Sequence, residues 1–137
     1  MPTFESPEKF IEVVGGFFNL MADTPLIADK MLDAGIVVRF TYTDPDVVIL
    51  IDCSGDRVQV KPQDTETQAL VELSMNCDLA HKFWFGKVNL TMALTRRKIK
   101  AKGPIPKILK LLPAIKPAYT MYPEYLENNG FSEYNIY

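Results

Sequence analysis

Between Ile36 and Met75 the apolar residues stop recurring every three to four positions and recur at every second one, and this change of period limits the fold more than any other feature. Side chains alternate between faces along a strand but return to one face of a helix at i, i+3 and i+4, so neither pattern suits the other element. Ile36, Val38, Phe40 and Tyr42 alternate with Val37, Arg39, Thr41 and Thr43. The turn Asp44-Pro45-Asp46 leads into "VVILIDC", and "SGD" leads into "RVQVK". Short polar turns between such runs predict an antiparallel meander. "QALVELSMN" alternates again, with Ala69, Val71, Leu73 and Met75 on one face, and predicts a fourth strand.

Helical periods flank this block. Ser6 is placed to cap a helix with Pro7 at its first position, and Phe10, Val13, Val14, Phe17, Phe18 and Met21 follow as an apolar stripe. Gly15-Gly16 lies inside that helix, where close packing against a neighbour is the economical explanation. Thr24 and Pro25 repeat the start signal for a shorter helix, which ends where Gly35 can turn left-handed. After Met75 come two short helices: Asp78 can cap "LAHKFWF", closed by Gly86, and Asn89 can cap "LTMALTR". "RKIKAKG" sets Lys98, Lys100 and Lys102 against Ile99 and Ala101, as a half-exposed fifth strand at a sheet edge would. "GPIPKILKLLP" starts a helix that is apolar at Ile105, Ile108, Leu109 and Leu112 and that Pro113 and Pro117 break. A last short helix is expected to end near Gly130. The order predicts one α+β domain over residues 1–137.

Charge is spread unevenly. The chain holds 15 Lys or Arg and 17 Asp or Glu, yet residues 79–123 carry ten basic side chains and no acidic one, which is +10 against −12 for the rest. This is either a solvated face or a surface for an anionic partner. Nucleic acid is not the expected partner, because stacking platforms expose aromatics beside positive charge, whereas Phe83, Trp84 and Phe85 follow one another on a short helix and cannot all face outward. A basic, apolar-faced segment suits a membrane surface or an amphiphile with an anionic head.

Catalytic chemistry finds little to work with. His81 is the one histidine; Asp78 could orient its imidazole, but a helix cap and a surface histidine explain the pair as well. Counting a calcium loop from Asp44 puts Ile49 and Gly55 where glycine and glutamate are needed. Cys53 and Cys77 lack a CxxC spacing and read as reduced core thiols. No apolar run reaches the length of about 20 that crosses a bilayer. The opening "MPTFESPEKFIEVVGG" is acidic where a secretory leader is basic. The expectation is a soluble cytoplasmic protein without enzyme activity, cofactor or metal.

The signature "FGKVNLTMALTRRKIKAKG", in this order of elements, resembles the sterol carrier protein type 2 family, from roughly Phe10 to Leu126. Its most specific parts are Gly86-Lys87-Val88 and Lys98 to Gly103; Asn89-Leu90 stands where the family often has Asp-Pro, and Arg97 where it usually has glycine. The resemblance implies a five-stranded, mostly antiparallel sheet with helices packed over one face. These would enclose an apolar tunnel for a fatty acid, acyl-CoA, sterol or phospholipid, bound or transferred without catalysis. The even positions of the first strand would line it, Val38 and Phe40 among them, with Ile49, Ile51, Leu73 and Met75 from other strands. Phe83, Trp84, Leu90, Met92, Ala93 and Leu94 would form helix walls, Ile99 would come from the closing strand, and Ile105, Ile108, Leu109 and Leu112 would form a lid-like segment. Basic residues near the mouth would make transient contact with an anionic membrane. The other reading is an accessory or interaction module, its cavity filled by side chains, that contacts an enzyme or forms a homodimer.

Overall fold

Ser6 opens the first helix as its spacing predicts: its side chain accepts a hydrogen bond from the Lys9 N–H at 3.1 Å, and Pro7 occupies the first turn. The computed structural model describes residues 3–137; Met1 and Pro2, which begin the segment read above as unlike a secretory leader, lie outside the described residues. Helix α1 runs from Pro7 to Ala22, α-helical over Pro7–Phe10 and Gly16–Ala22 with a π-turn at Ile11–Gly15. Tyr125 accounts for that turn. Its hydroxyl donates to the Val13 carbonyl at 2.7 Å and lies where a Cβ on Gly16 would stand. A foreign group inserted into the helical ladder is what widens a turn in this way. Gly15, one residue earlier, rests over Ile49 of the sheet.

Helix α2, Pro25–Ala34, turns away from α1 by 85° and ends at Gly35, whose φ of +64° is the expected left-handed cap. Thr24 makes no cap bond; its hydroxyl donates to the Leu20 carbonyl at 2.7 Å. The meander follows as β1 (Val37–Thr43), β2 (Val47–Asp52) and β3 (Gln59–Pro62), each antiparallel to the one before. Strand β4, Val71–Asn76, starts two residues after Ala69 and does not extend the meander. It returns past β2 to lie parallel to β1, and β5 (Lys100–Lys102) pairs antiparallel on its far side, giving the order β3-β2-β1-β4-β5. Arg39 anchors the crossing connection on the outer face. Its guanidinium donates to the carbonyls of Asp64 and Thr67 and pairs with Glu72 at 3.0 Å.

Register sets Val38, Phe40 and Tyr42 beside Ile51, Ile49 and Val47 on one flank and Val71, Leu73 and Met75 on the other, all on one face. α1 packs over this face, with Phe10 and Tyr42 ring centroids 4.7 Å apart and Phe18 and Phe40 5.7 Å apart.

Asn76, not Asp78, caps helix α3 (Cys77–Trp84), accepting from the Leu79 N–H at 2.7 Å. Asp78 sits inside the first turn, where its carboxylate instead accepts the Thr3 N–H at 3.0 Å. Asn89 caps α4 (Leu90–Thr95) as expected, accepting from the Met92 N–H at 3.1 Å. Arg97 then takes a φ of +59°. Glycine reaches that conformation freely and other residues at about 1–2 kcal/mol, which explains physically why a glycine is usual there in the resembled family.

The single helix expected after Gly103 is two: α5 (Ile105–Leu109) and α6 (Leu112–Ile115). The break falls at Lys110 and Leu111, and Pro113 opens α6 instead of ending its predecessor, because a missing N–H is harmless in a first turn. Pro117 precedes α7, Ala118–Asn128, and a 3-10 turn at Ser132–Tyr134 follows Gly130.

Candidate functional site

Between the helix-covered face of the sheet and the helices lies a void of about 90 Å³. Ile36, just before β1, and Val38, Phe40 and Tyr42 within it form its floor, with Ile51, Cys53, Leu73 and Met75 beside them. From Ile36 to Tyr42, at a rise of about 3.3 Å per residue, the floor is about 20 Å long. Met21 of α1, Met31 of α2, Ala80, Phe83 and Trp84 of α3, Leu90 of α4 and Ile99 form the walls. Ile108, Leu111, Leu112 and Ile115 form the roof.

Eleven of the residues singled out from the sequence are therefore brought together: Val38, Phe40, Ile51, Leu73, Met75, Phe83, Trp84, Leu90, Ile99, Ile108 and Leu112. Six are not among the lining. Ile49 is fully buried directly under Gly15, where α1 lies too close to leave space. Ala93 is buried and Leu94 half-buried outside the void, while Met92 is 44% exposed because its turn of α4 points away from the face that carries Leu90. Ile105 is 37% exposed and Leu109 half-buried on the flank of α5, since the break at Lys110 lets only Ile108 of that helix reach inward. Among the lining residues not singled out, Met21 lies on the predicted stripe of α1. Ile36 and Tyr42 continue the even side of β1. Leu111 widens the apolar stripe of the segment after Gly103 and Cys53 reads as a core thiol, whereas Met31, Ala80 and Ile115 carry no separate signal.

The polar groups near the cavity are neutral. Burial pushes the Cys53 thiol up to about 11 and the Cys77 thiol up to about 12, so neither supplies a thiolate near neutral pH. His81, read as a surface histidine, is fully buried. A backbone carbonyl only accepts, so Nε2–H donates to the Tyr134 carbonyl at 2.7 Å, and Nδ1 accepts from the Tyr122 hydroxyl at 2.7 Å. Both ring nitrogens are thereby committed to tying the C-terminal turn and α7 to α3. Burial holds the pKa of His81 below its ordinary value against the opposing pull of the Tyr134 carbonyl and Asp78. A depressed folded pKa means that the unfolded chain takes the proton first. Stability is then complete above about pH 6.5 and falls as pH drops from there through the folded pKa. Urea midpoints measured across that window should decline in the wild type and stay flatter in His81→Gln; equal slopes would remove the assignment.

All ten Lys and Arg of residues 79–123 are exposed. The ion pairs among the described residues, Lys9–Glu12 and Arg39–Glu72, involve none of them. Among the described residues no single helix is long and apolar enough to cross a membrane.

A mixed sheet roofed by helices over an apolar void places the chain in the class of small α+β proteins that enclose a hydrophobic cavity. The model of the SCP-2 sterol transfer family matches residues 19–116, and the chain belongs to that family. Known structures share the fold. The sterol carrier protein domain 2 of Helicoverpa armigera superposes with a TM-score of 0.67 at 18% identity, covering 86% of this chain and 95% of that one. Sterol carrier protein 2 from Yarrowia lipolytica gives 0.56 at 15% identity, covering 91% and 94%. Part of a sec-alkylsulfatase from Pseudomonas sp. gives 0.55 at 14% identity, covering 63% of this chain and 14% of that one. No protein with a curated description matches the sequence.

Proposed function

We propose that this protein binds one hydrophobic ligand between its sheet and its helical roof and carries it without chemical change. The observation that carries the reading is the void itself, lined by apolar side chains and bordered by neutral polar groups, on the fold of the SCP-2 sterol transfer family. A methylene leaving water for such a site contributes about 0.8 kcal/mol, so an acyl chain or sterol body supplies a large driving force. Pockets that hold drug-sized ligands measure about 300–1,000 Å³, more than the closed void, so loading requires the roof to move outward. Two short helices broken at Lys110 and Leu111 can do this without disturbing a strand ladder. The exposed, unpaired basic residues of 79–123 supply attraction to an anionic bilayer of about 1 kcal/mol for each one near the surface. Two buried free thiols suit a reducing compartment such as the cytoplasm.

Transfer of a fluorescent lipid between vesicles tests this. Adding the protein should accelerate transfer, more so with anionic than with neutral vesicles, and the difference should shrink as salt rises, because screening acts over about 8 Å at physiological ionic strength. Absence of any acceleration, with no lipid co-purifying in native mass spectrometry, would move the reading to an accessory module that contacts another protein. The likeness to one part of a sec-alkylsulfatase supports that second reading.

A further inference from the structure

We infer that the roof of the cavity is the face that docks on an anionic bilayer, and that docking there is what opens the cavity. This rests on the ligand-binding reading above and deepens it, by naming which of the exposed basic residues meet the membrane and what their contact does. Two kinds of side chain divide the roof. Ile108, Leu111, Leu112 and Ile115 line the void, whereas Lys107, Lys110 and Lys116 are exposed, with Ile105, Pro106 and Pro113 exposed among them. A short amphipathic segment with lysines on its polar side suits the plane of a lipid headgroup layer. A second copy of the chain fits this face poorly, because in a two-fold pair the same lysines would face one another. The lysines around β5 lie elsewhere. Lys100 and Lys102 stand in register with Ser74 and Glu72, on the sheet face that carries the Arg39–Glu72 pair, and Lys98 lies beside Asn76 of that face. The sheet separates these three from the roof, so one flat bilayer cannot meet both sets.

The roof is fastened at its ends and loose between them. Gly103, at a φ of +105°, lies so close to the Leu70 carbonyl that a Cβ would collide with it. At the other end Ala118 is fully buried, and the Tyr122 hydroxyl one turn later donates to His81. Among the described residues, the hydrogen bonds of residues 104–116 all close within residues 104–119, and none ties the roof to the sheet or to α2, which packs beside α6. Apolar contact alone holds it down. Lipid chains can replace that contact without breaking a hydrogen bond, whereas water cannot, so the roof stays closed in water and lifts at a bilayer. α2 carries Asp29 and Asp33 against Lys30, which centres the attraction on the roof and not on its neighbour.

Sedimentation at low salt with vesicles of equal parts phosphatidylcholine and phosphatidylglycerol tests the docking face. Changing Lys107, Lys110 and Lys116 together to Gln should weaken binding more than about thirtyfold, since each lysine at the surface is worth about a factor of five. Changing Lys98, Lys100 and Lys102 to Gln removes the same charge from the far side of the sheet and should weaken it less than about threefold. Opening is read from the two buried thiols. Cys53 lines the void; Cys77 does not, and its thiol donates to the Pro45 carbonyl at 3.3 Å. The anionic vesicles should speed alkylation of Cys53 by N-ethylmaleimide at least about tenfold and leave Cys77 slow, because only the first is reached through the roof. Phosphatidylcholine vesicles should change neither. Equal losses from the two lysine sets would overturn the inference. Unchanged binding in the roof variant would do the same and leave these lysines to an acidic protein surface. Docking without faster Cys53 alkylation, or with both thiols accelerated alike, would overturn the gate. If the wild type bound no diphenylhexatriene, a hydrophobic fluorescent probe, in the absence of vesicles, the cavity reading itself would fall, so the two failures are separable.

Discussion

Gly16→Ala should destabilise the protein by about 2–4 kcal/mol, although a glycine-to-alanine change inside a helix ordinarily stabilises by about 0.5–1 kcal/mol. The reversal comes from Tyr125. A Cβ at position 16 would stand on its hydroxyl, which donates to the Val13 carbonyl at 2.7 Å. Overpacking costs about 1–3 kcal/mol, and expelling the hydroxyl leaves a buried carbonyl without its donor for about as much again. Tyr125→Phe alone should cost about 1 kcal/mol, the net worth of one hydrogen bond. In the double variant the collision is gone, so the two losses should fall short of their sum by about 1–3 kcal/mol. Urea unfolding of the four proteins measures the cycle. A Gly16→Ala protein as stable as the wild type would mean that the π-turn does not depend on Tyr125. Burial pushes the Tyr125 hydroxyl up to about 12, so the result should not change between neutral and mildly alkaline pH.

That contact also marks where a sequence stops being legible. Gly15-Gly16 signals close packing, but the partner lies 112 residues away from Val13, and no local pattern points to it. His81 is similar: its spacing from Asp78 is visible in the chain, whereas Tyr134, which decides its tautomer, is 53 residues on. Alternation read the faces of β1 and β4 correctly because a period of two has one solution when one face is buried. It could not tell which strand lies beside which, so the parallel β1–β4 ladder appears only in the structure. Asn76 and Asp78 are equally good caps by chemistry, and only the course of the backbone selects Asn76. A stripe likewise shows that a side chain points inward and not whether it meets a void or a neighbour. Ile49 and Ile51 share a face of β2, yet Gly15 lies over the first and the cavity opens beside the second.

The roof tests that last distinction through two neighbours in the chain. Ile108 is buried and lines the void; Leu109 is half-buried and faces the flank of α5. Ile108→Asp puts a carboxyl into a space whose lining is apolar and offers it no cation. A polar group confined there without partners costs roughly 2–7 kcal/mol, which the ligand must meet by packing against it, so diphenylhexatriene affinity should fall more than about thirtyfold. Leu109→Asp adds the same charge one residue later, outside the cavity, and should leave affinity nearly unchanged. Because both variants alter net charge equally and sit in the same short helix, a shared effect of charge or helix propensity cancels between them. Lowering the pH should restore part of the binding to Ile108→Asp as its carboxyl protonates. Should Ile108→Asp fail to fold, Ile115→Asp, at a half-buried roof position, makes the same test. Equal losses at 108 and 109 would show that α5 presents a different face to the ligand, and no loss at either would show that the roof takes no part in binding.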